Sequence, residues 1–211
     1  MGSIKFPHAS GNSMSISSPA TNPASDLTLT LPTTVGLAGQ VLTSDGSGNL
    51  SWKYPSIAFA DQWRLTTEFS GDADPITTAV QRVNSTGQGT IGAQMSPSSG
   101  IWTFPATGIW QVSMHSEHSH SSLDDHAVQV YIKATTNNGT AWSDVALSKT
   151  NNVNDSTNAA THNDVSTLID VTDVGQVKVA FKVDCQHAST ETKSSDATNR
   201  TSFTFLRLGD T

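Results

Sequence analysis

The chain has 211 residues, 35% of them hydrophobic, and a formal net charge of −7. Lys and Arg total 11, and no basic run could neutralise a line of phosphates, which argues against a nucleic-acid partner. No apolar stretch approaches the ~20 residues needed to span a bilayer, so no membrane insertion is expected. So little apolar material makes a thin core, and association with identical copies is one way to bury more surface.

Residues 1–56 read differently from the rest. The opening lacks the apolar run of a signal peptide, and Phe6 stands where an N-myristoylation pattern wants Ser or Thr. Residues 9–26 are a Ser/Asn/Pro/Ala run in which Met14 and Ile16 are the large apolar residues, and Pro19 and Pro23 exclude a helix or a central strand. Residues 27–31 (Leu-Thr-Leu-Thr-Leu) alternate with period two and stop at Pro32. Residues 40–43 and 49–52 are short strand candidates, and Asp-Gly-Ser-Gly between them is a hairpin signal. A segment of this kind buries no core alone; it is expected to lie along neighbouring chains or to dock elsewhere.

From residue 57 onward, strand signals recur at the spacing of a β-sandwich. Residues 57–69 are mixed apolar and polar, and 100–104 form a short aromatic strand ended by Pro105. Residues 108–116 put Trp110, Val112 and Met114 on one face, and 126–134 do the same with Val128, Val130 and Ile132. Residues 141–148 and 165–171 carry weaker patterns. Residues 176–184 alternate most clearly, with Val177, Val179, Phe181 and Val183 opposite Lys178 and Lys182. Residues 201–208 place Phe203 and Phe205 on one side and Leu206 and Leu208 on the other, as a strand covered on both faces near a subunit interface would. Residues 84–99, 151–163 and 187–199 are expected to be long polar loops. No segment has helical periodicity, so the predicted class is all-β, a sandwich or jelly roll.

The segment 29–52 joins Leu-Pro-Thr-Thr, Gly-Gln-Val-Leu, Asp-Gly-Ser-Gly and Leu-Ser-Trp. It resembles a segment of fibre and other virion proteins of tailed phages, marine ones especially, over roughly residues 4–53. The ending at 202–211 is similar to the terminal strand of such proteins. Residues 57–211 resemble the jelly-roll superfamily of tumour necrosis factor and the globular head of complement component one-q. Three pieces carry this: Trp102 followed by five residues, Gly108 and Trp110; Val-Gly-Gln-Val-Lys-Val at 174–179; and Ser-Phe-Thr-Phe-Leu at 202–206. Gln176 stands where the family has Asp, and the last strand lacks the family's glycine. The resemblance implies a ten-stranded jelly roll assembling as a tight trimer, with Trp102, Trp110, Phe203, Phe205, Leu206 and Leu208 at its core or interface.

His115, His118 and His120 lie close together, followed by His126, with His162 and His187 further on. On an unbroken strand His118 and His120 would share one face, and on a three-fold axis one histidine per chain supplies three ligands. Plain polar strand-end histidines, a structural metal ion on or near the trimer axis and a pH-sensitive interface all fit this pattern. Asp72, Asp74, Asp124 and Asp125 fall in turns; relatives in the resembled family bind calcium, but no calcium-loop spacing is present, and solvated carboxylates account for them. Beyond such an ion no cofactor is implied. Glu117, beside the histidines, is the one arrangement resembling a general acid. Cys185, the single cysteine, excludes an intrachain disulfide and reads as a buried strand-end thiol. Trp142, after Asn-Asn-Gly-Thr-Ala, is placed near a loop as a candidate for surface recognition. The expected protein is a non-enzymatic virion component made in a bacterial cytoplasm. Residues 1–56 would attach it to other virion proteins, and a trimeric knob of 57–211 would meet a host glycan or protein. A capsid decoration protein is the alternative, and a glycan depolymerase a third reading.

Overall fold

The computed structural model describes all residues except 1–2, 8–9, 18, 22, 38–39, 54–56, 78, 121–124 and 153–159. The expectation for Asp124 lies outside the described residues. The chain forms two compact units, residues 1–56 and 57–211.

The first unit holds two antiparallel hairpins, β1 (Ser3–Pro7) with β2 (Ser13–Ser17) and β3 (Val41–Ser44) with β4 (Leu50–Lys53). The turn between β3 and β4 is built by Asp45, whose Oδ1 accepts the backbone N–H groups of Ser47 (2.8 Å) and Asn49 (3.1 Å). Gly48, at φ 91°, lies under the carbonyl of Thr28, where a Cβ would come within 2.3 Å of the oxygen. The first hairpin has no counterpart in the predicted strands; β2 alternates Ser with Met and Ile, and β1 alternates Ile and Phe with Ser, Lys and Pro, patterns too short to stand out from the polar run around them. Residues 27–31, predicted to alternate as a strand, form no ladder. Thr30 makes one parallel bridge to Asn49, while Leu27, Leu29 and Leu31 are 74%, 66% and 70% exposed. A period-two pattern needs a partner along its whole edge to become a sheet, and β4 offers only its first residues.

The second unit contains β5 (Phe59–Leu65), β6 (Phe69–Ser70), β7 (Val80–Arg82), β8 (Ser96–Ser98), β9 (Ile101–Thr103), β10 (Gly108–Ser119), β11 (Asp125–Thr135), β12 (Ser143–Asn152), β13 (Ala160–Val171), β14 (Lys178–Cys185), β15 (Glu191–Thr192) and β16 (Ser202–Gly209). One sheet runs β6-β15-β10-β16-β5-β7, where β15 and β16 pair successive stretches of one edge of β10 and β13 pairs along the whole of the other; the second runs β12-β11-β14-β9-β8. No helix occurs among the described residues. Alternate residues of both sheets face inward. Trp110, Val112 and Met114 of β10 and Phe203 and Phe205 of β16 pack against Val128, Val130 and Ile132 of β11 and Val179, Phe181 and Val183 of β14. This is a jelly-roll sandwich of mostly non-local strand pairs.

The three expected long loops are shorter than their composition implies. Residues 84–99 contain β8 and a bridge from Ile91 to Ala60, and residues 187–199 contain β15. Of residues 151–163, β12 reaches Asn152 and β13 begins at Ala160. The first half of β13 is polar, yet it pairs with β10 in unbroken register from Val171↔Gly108 to Ala160↔Ser119. A complete hydrogen-bonded edge overrides weak strand propensity there.

Candidate functional site

Three regions of the second unit carry the chemistry the sequence singles out. The first is the histidine row of β10. Inward positions alternate from Trp110 through Val112, Met114 and Ser116 to His118, which is fully buried. Its Nε2 lies 2.8 Å from the Ser116 hydroxyl and its Nδ1 3.2 Å from that of Thr192. Burial pushes its pKa down to about 4, so the imidazole is a neutral member of a polar core extension. His115 faces outward, with Nδ1 2.8 Å from Asp164 Oδ1 and its ring stacked on His162 at 5.5 Å. His120 lies past the strand end, with Nε2 2.7 Å from the Ser189 hydroxyl. His115 and His118 therefore point to opposite faces. Among the described residues no group of three His, Cys, Asp or Glu side chains is placed to hold a metal ion.

Glu117 is also outward and chelates the Arg200 guanidinium, with Arg200 Nε 2.8 Å from Oε2. His162 Nε2 stands 3.9 Å from the same oxygen. The bond from Arg200 holds the Glu117 carboxyl below the usual range, opposite to the raised value a general acid needs. The carboxylates near the loops have structural partners. Asp125, fully buried, accepts from Ala127 N (3.1 Å), Gln186 N (3.3 Å) and the Thr190 hydroxyl. Asp72 accepts from Cys185 N at 2.8 Å, and Asp74 pairs with Lys133. Burial raises the Cys185 thiol to about 12, so it is not a nucleophile.

The second region is the aromatic core and the sheet face behind it. Trp102 is 2% exposed and packs against Trp63, Phe181, Phe203 and Phe205, with ring centroids 5.0–6.0 Å away. Trp110 packs on Phe104 (5.3 Å) and Phe59 (5.7 Å), and its Nε1 donates to Ala106 O at 3.1 Å. Gly108, between the two tryptophans in sequence, sits at φ 133°, where a Cβ would meet Gly209 O at 2.4 Å. The glycine is what lets β16 close onto β10. Phe203 and Phe205 are buried, whereas Leu206 and Leu208 point away from the core, Leu208 being 51% exposed. Among the described residues of this unit, the last strand is covered on its Phe203 and Phe205 face. Across the outward face, Gln111 is flanked in register by Leu206 of β16 and by Leu168 of β13, itself 60% exposed.

No protein-family model matches the chain, and no curated protein matches it in sequence. Solved structures match in fold. Eiger, a tumour necrosis factor of S. frugiperda, superposes with a TM-score of 0.54 at 9% identity, covering 73% of this chain and 95% of that one. Murine APRIL superposes with a TM-score of 0.50 at 10% identity, covering 71% of this chain and 98% of that one. The fold is a tumour-necrosis-factor-like jelly roll.

The third region of this jelly roll is a hollow of ≈ 230 Å³ on the outward side of the β12-β11-β14-β9-β8 sheet. Trp142, Lys133, Asp74, Pro75, Ile101 and Ala180 line it. Lys133, Ala180 and Ile101 are register neighbours on β11, β14 and β9, so three adjacent strands make the floor. Trp142 is half-buried at its rim. The loop that carries it is tied by Asn137, whose Oδ1 accepts from Ala141 N at 2.9 Å, and by Asn138 N donating to Gln176 O at 2.9 Å. Sequence reasoning singled out Trp142 and missed Lys133 and the role of Asp74. They meet across 59 residues of chain, and no local pattern signals the contact.

Proposed function

We propose that the chain is a structural protein of a tailed-phage particle, a homotrimeric fibre or knob that mediates attachment to the host surface. Its jelly roll would be the distal part, and residues 1–56 the part that binds other virion proteins. The observation that carries the reading is the outward face of the β5-β16-β10-β13 sheet. Leu206 and Leu168 flank Gln111 at its centre, and Leu208 lies exposed beside them. A row of leucines on an open sheet face is what a self-association surface needs. The resemblance of 29–52 to phage virion proteins supports the particle, and the jelly-roll likeness supports the trimer. The Glu117–Arg200 pair supports a non-catalytic role, because it engages the carboxylate that the sequence offered as a general acid.

Light scattering of the full chain tests the assembly. A mass near three times 22.3 kDa is expected, and Leu206→Glu should shift it toward the monomer while the β circular-dichroism signal remains. A stable wild-type monomer at micromolar concentration refutes the trimer. Labelling purified phage particles with an antibody against 57–211 tests the location. Label at the tail supports attachment, label over the head supports the decoration reading, and unlabelled particles refute a virion role.

A further inference from the structure

We propose that the hollow beside Trp142 is a carbohydrate subsite that takes one neutral pyranose ring. The proposal rests on the attachment reading for its biological sense, but its chemistry stands on the hollow itself.

Ala180 decides the shape of the site. Its outward neighbours on β14 are Lys178 and Lys182, both long, so the methyl between them leaves a depression in the sheet surface. Ala180 is nevertheless only 2% exposed, because the residues around the hollow rise above it. Asp74 and Pro75 come from a segment held along the sheet by Ala73, which exchanges 2.9 Å backbone hydrogen bonds with Val183, and by Ile76 N, which donates to Phe181 O at 2.8 Å. Trp142 comes from the β11–β12 loop on the other side. The result is a floor with Ala180 and Ile101 as its apolar part, the Lys133–Asp74 pair to one side of them, and Trp142 as an aromatic wall. The volume of ≈ 230 Å³ suits one sugar ring.

The chemistry of the lining selects the ligand class. A pyranose presents axial C–H groups on its faces and hydroxyls around its rim. An indole accepts such a face through dispersion and its negative π-surface. Lys133 Nζ lies 2.6 and 2.7 Å from the two oxygens of Asp74, so the pair is locally neutral. Each carboxylate oxygen keeps a lone pair for a hydroxyl donor, and the ammonium has further N–H groups to give. Such a pair can grip two adjacent hydroxyls, one accepting and one donating. An anionic sugar would have to leave water for a site whose cation is already neutralised, on a chain of net charge −7, so a neutral ring is favoured.

Preorganisation separates this tryptophan from a loose loop aromatic. Thr135 Oγ1 accepts from Gly139 N at 3.1 Å, the Thr140 hydroxyl donates to Asn137 O at 3.0 Å, and a Cβ on Gly139 would lie 3.7 Å from the indole Nε1. The ring therefore leans on a braced turn where it lines the hollow. Little side-chain ordering is left to be lost on binding.

The test uses the purified full-length chain and the methyl pyranosides of glucose, galactose, mannose, rhamnose and N-acetylglucosamine, followed by NMR. The indole N–H resonance that vanishes in Trp142→Ala identifies the probe signal. At least one glycoside is expected to shift that resonance saturably with a dissociation constant in the millimolar range, while the open-chain polyol sorbitol does not. Ligand-observed saturation transfer should show binding at least about tenfold weaker in Trp142→Ala and in Asp74→Asn, with Trp142→Phe in between. Both altered side chains are partly solvent-exposed, so the variants are expected to melt near wild type. No saturable shift with any glycoside, an equal response to sorbitol, or full binding by Trp142→Ala each overturns the proposal. The titration needs neither particle nor host, so unlabelled phage particles would refute the virion reading and leave it untouched. Failed sugar binding with labelled tails would refute the subsite alone.

Discussion

Replacing Trp110 by Ala should strongly destabilise the jelly roll. The side chain is 1% exposed, sits between Phe104 and Phe59 at 5.3 and 5.7 Å, and donates to Ala106 O. Truncating a buried Trp costs about 3–5 kcal/mol through lost transfer energy and the cavity left behind. Two ring pairs carry about 0.5–1.5 kcal/mol each beyond burial, and the orphaned carbonyl adds about 1 kcal/mol. Truncation costs already contain part of the pair energies, so the expected total is about 4–6 kcal/mol. For a unit of this length that lowers the melting temperature by about 10–20 °C. Trp110→Phe keeps both ring contacts and loses the hydrogen bond and some volume, at about 1–2 kcal/mol. Scanning calorimetry of the two variants beside wild type measures the series. Trp110→Ala melting within about 1 kcal/mol of wild type would refute the core assignment and place this strand face in solvent.

His118 should make stability fall with acid. Its value is about 4 folded against 6.5 ordinarily, so the unfolded chain binds the extra proton. Its contribution, about 3 kcal/mol, is complete above pH 6.5 and is lost as the pH falls from there toward about 4. Urea melts of His118→Gln should accordingly show a smaller loss over that range than wild type; identical slopes would contradict the buried neutral ring. Cys185 should resist iodoacetamide near pH ~8 in the folded chain and react rapidly in urea, and fast labelling of folded protein would show an open thiol. Residues 57–211 expressed alone should melt within a few degrees of the full chain, because the aromatic core lies wholly within them; an unfolded product would place part of the folding unit in 1–56.

Strands with one apolar face were legible in the sequence because burial on one side writes itself as alternation. β10, β11 and β14 are the clear cases, and their inward residues are the sandwich core. The all-β jelly-roll class follows from them and from the absence of helical periodicity. β13 was weak for a physical reason: Leu168 stands among its outward positions, while Thr161, the buried Asn163 and Thr167 stand among its inward ones, so the first half alternates polar with polar. Alternation of polar with polar carries no signal. Side chains whose roles depend on distant partners were equally silent. Arg64 is 1% exposed and donates to Asn84 and Ser85, and Asp61 gathers Trp63, Arg82 and the Met95 N–H. Nothing in the local sequence marks either as interior. At the histidines, the period of β10 determines which rings face the core, and it separates His115 from His118 although the spacing had suggested a cluster.

The position of β16 has a consequence for how the chain is made. It hydrogen-bonds to β5 on one side and β10 on the other, so the sheet stays split until residues 202–209 exist. Ribosomes add roughly 5–20 residues per second, which leaves the edge of β5 without its neighbour for about 8–30 s. During that interval β5, joined by β10 once residues 108–119 are made, exposes an unpaired backbone edge beside other nascent chains translated from the same message. The yield of correctly folded protein should therefore depend on translation speed and on chaperone supply through that window.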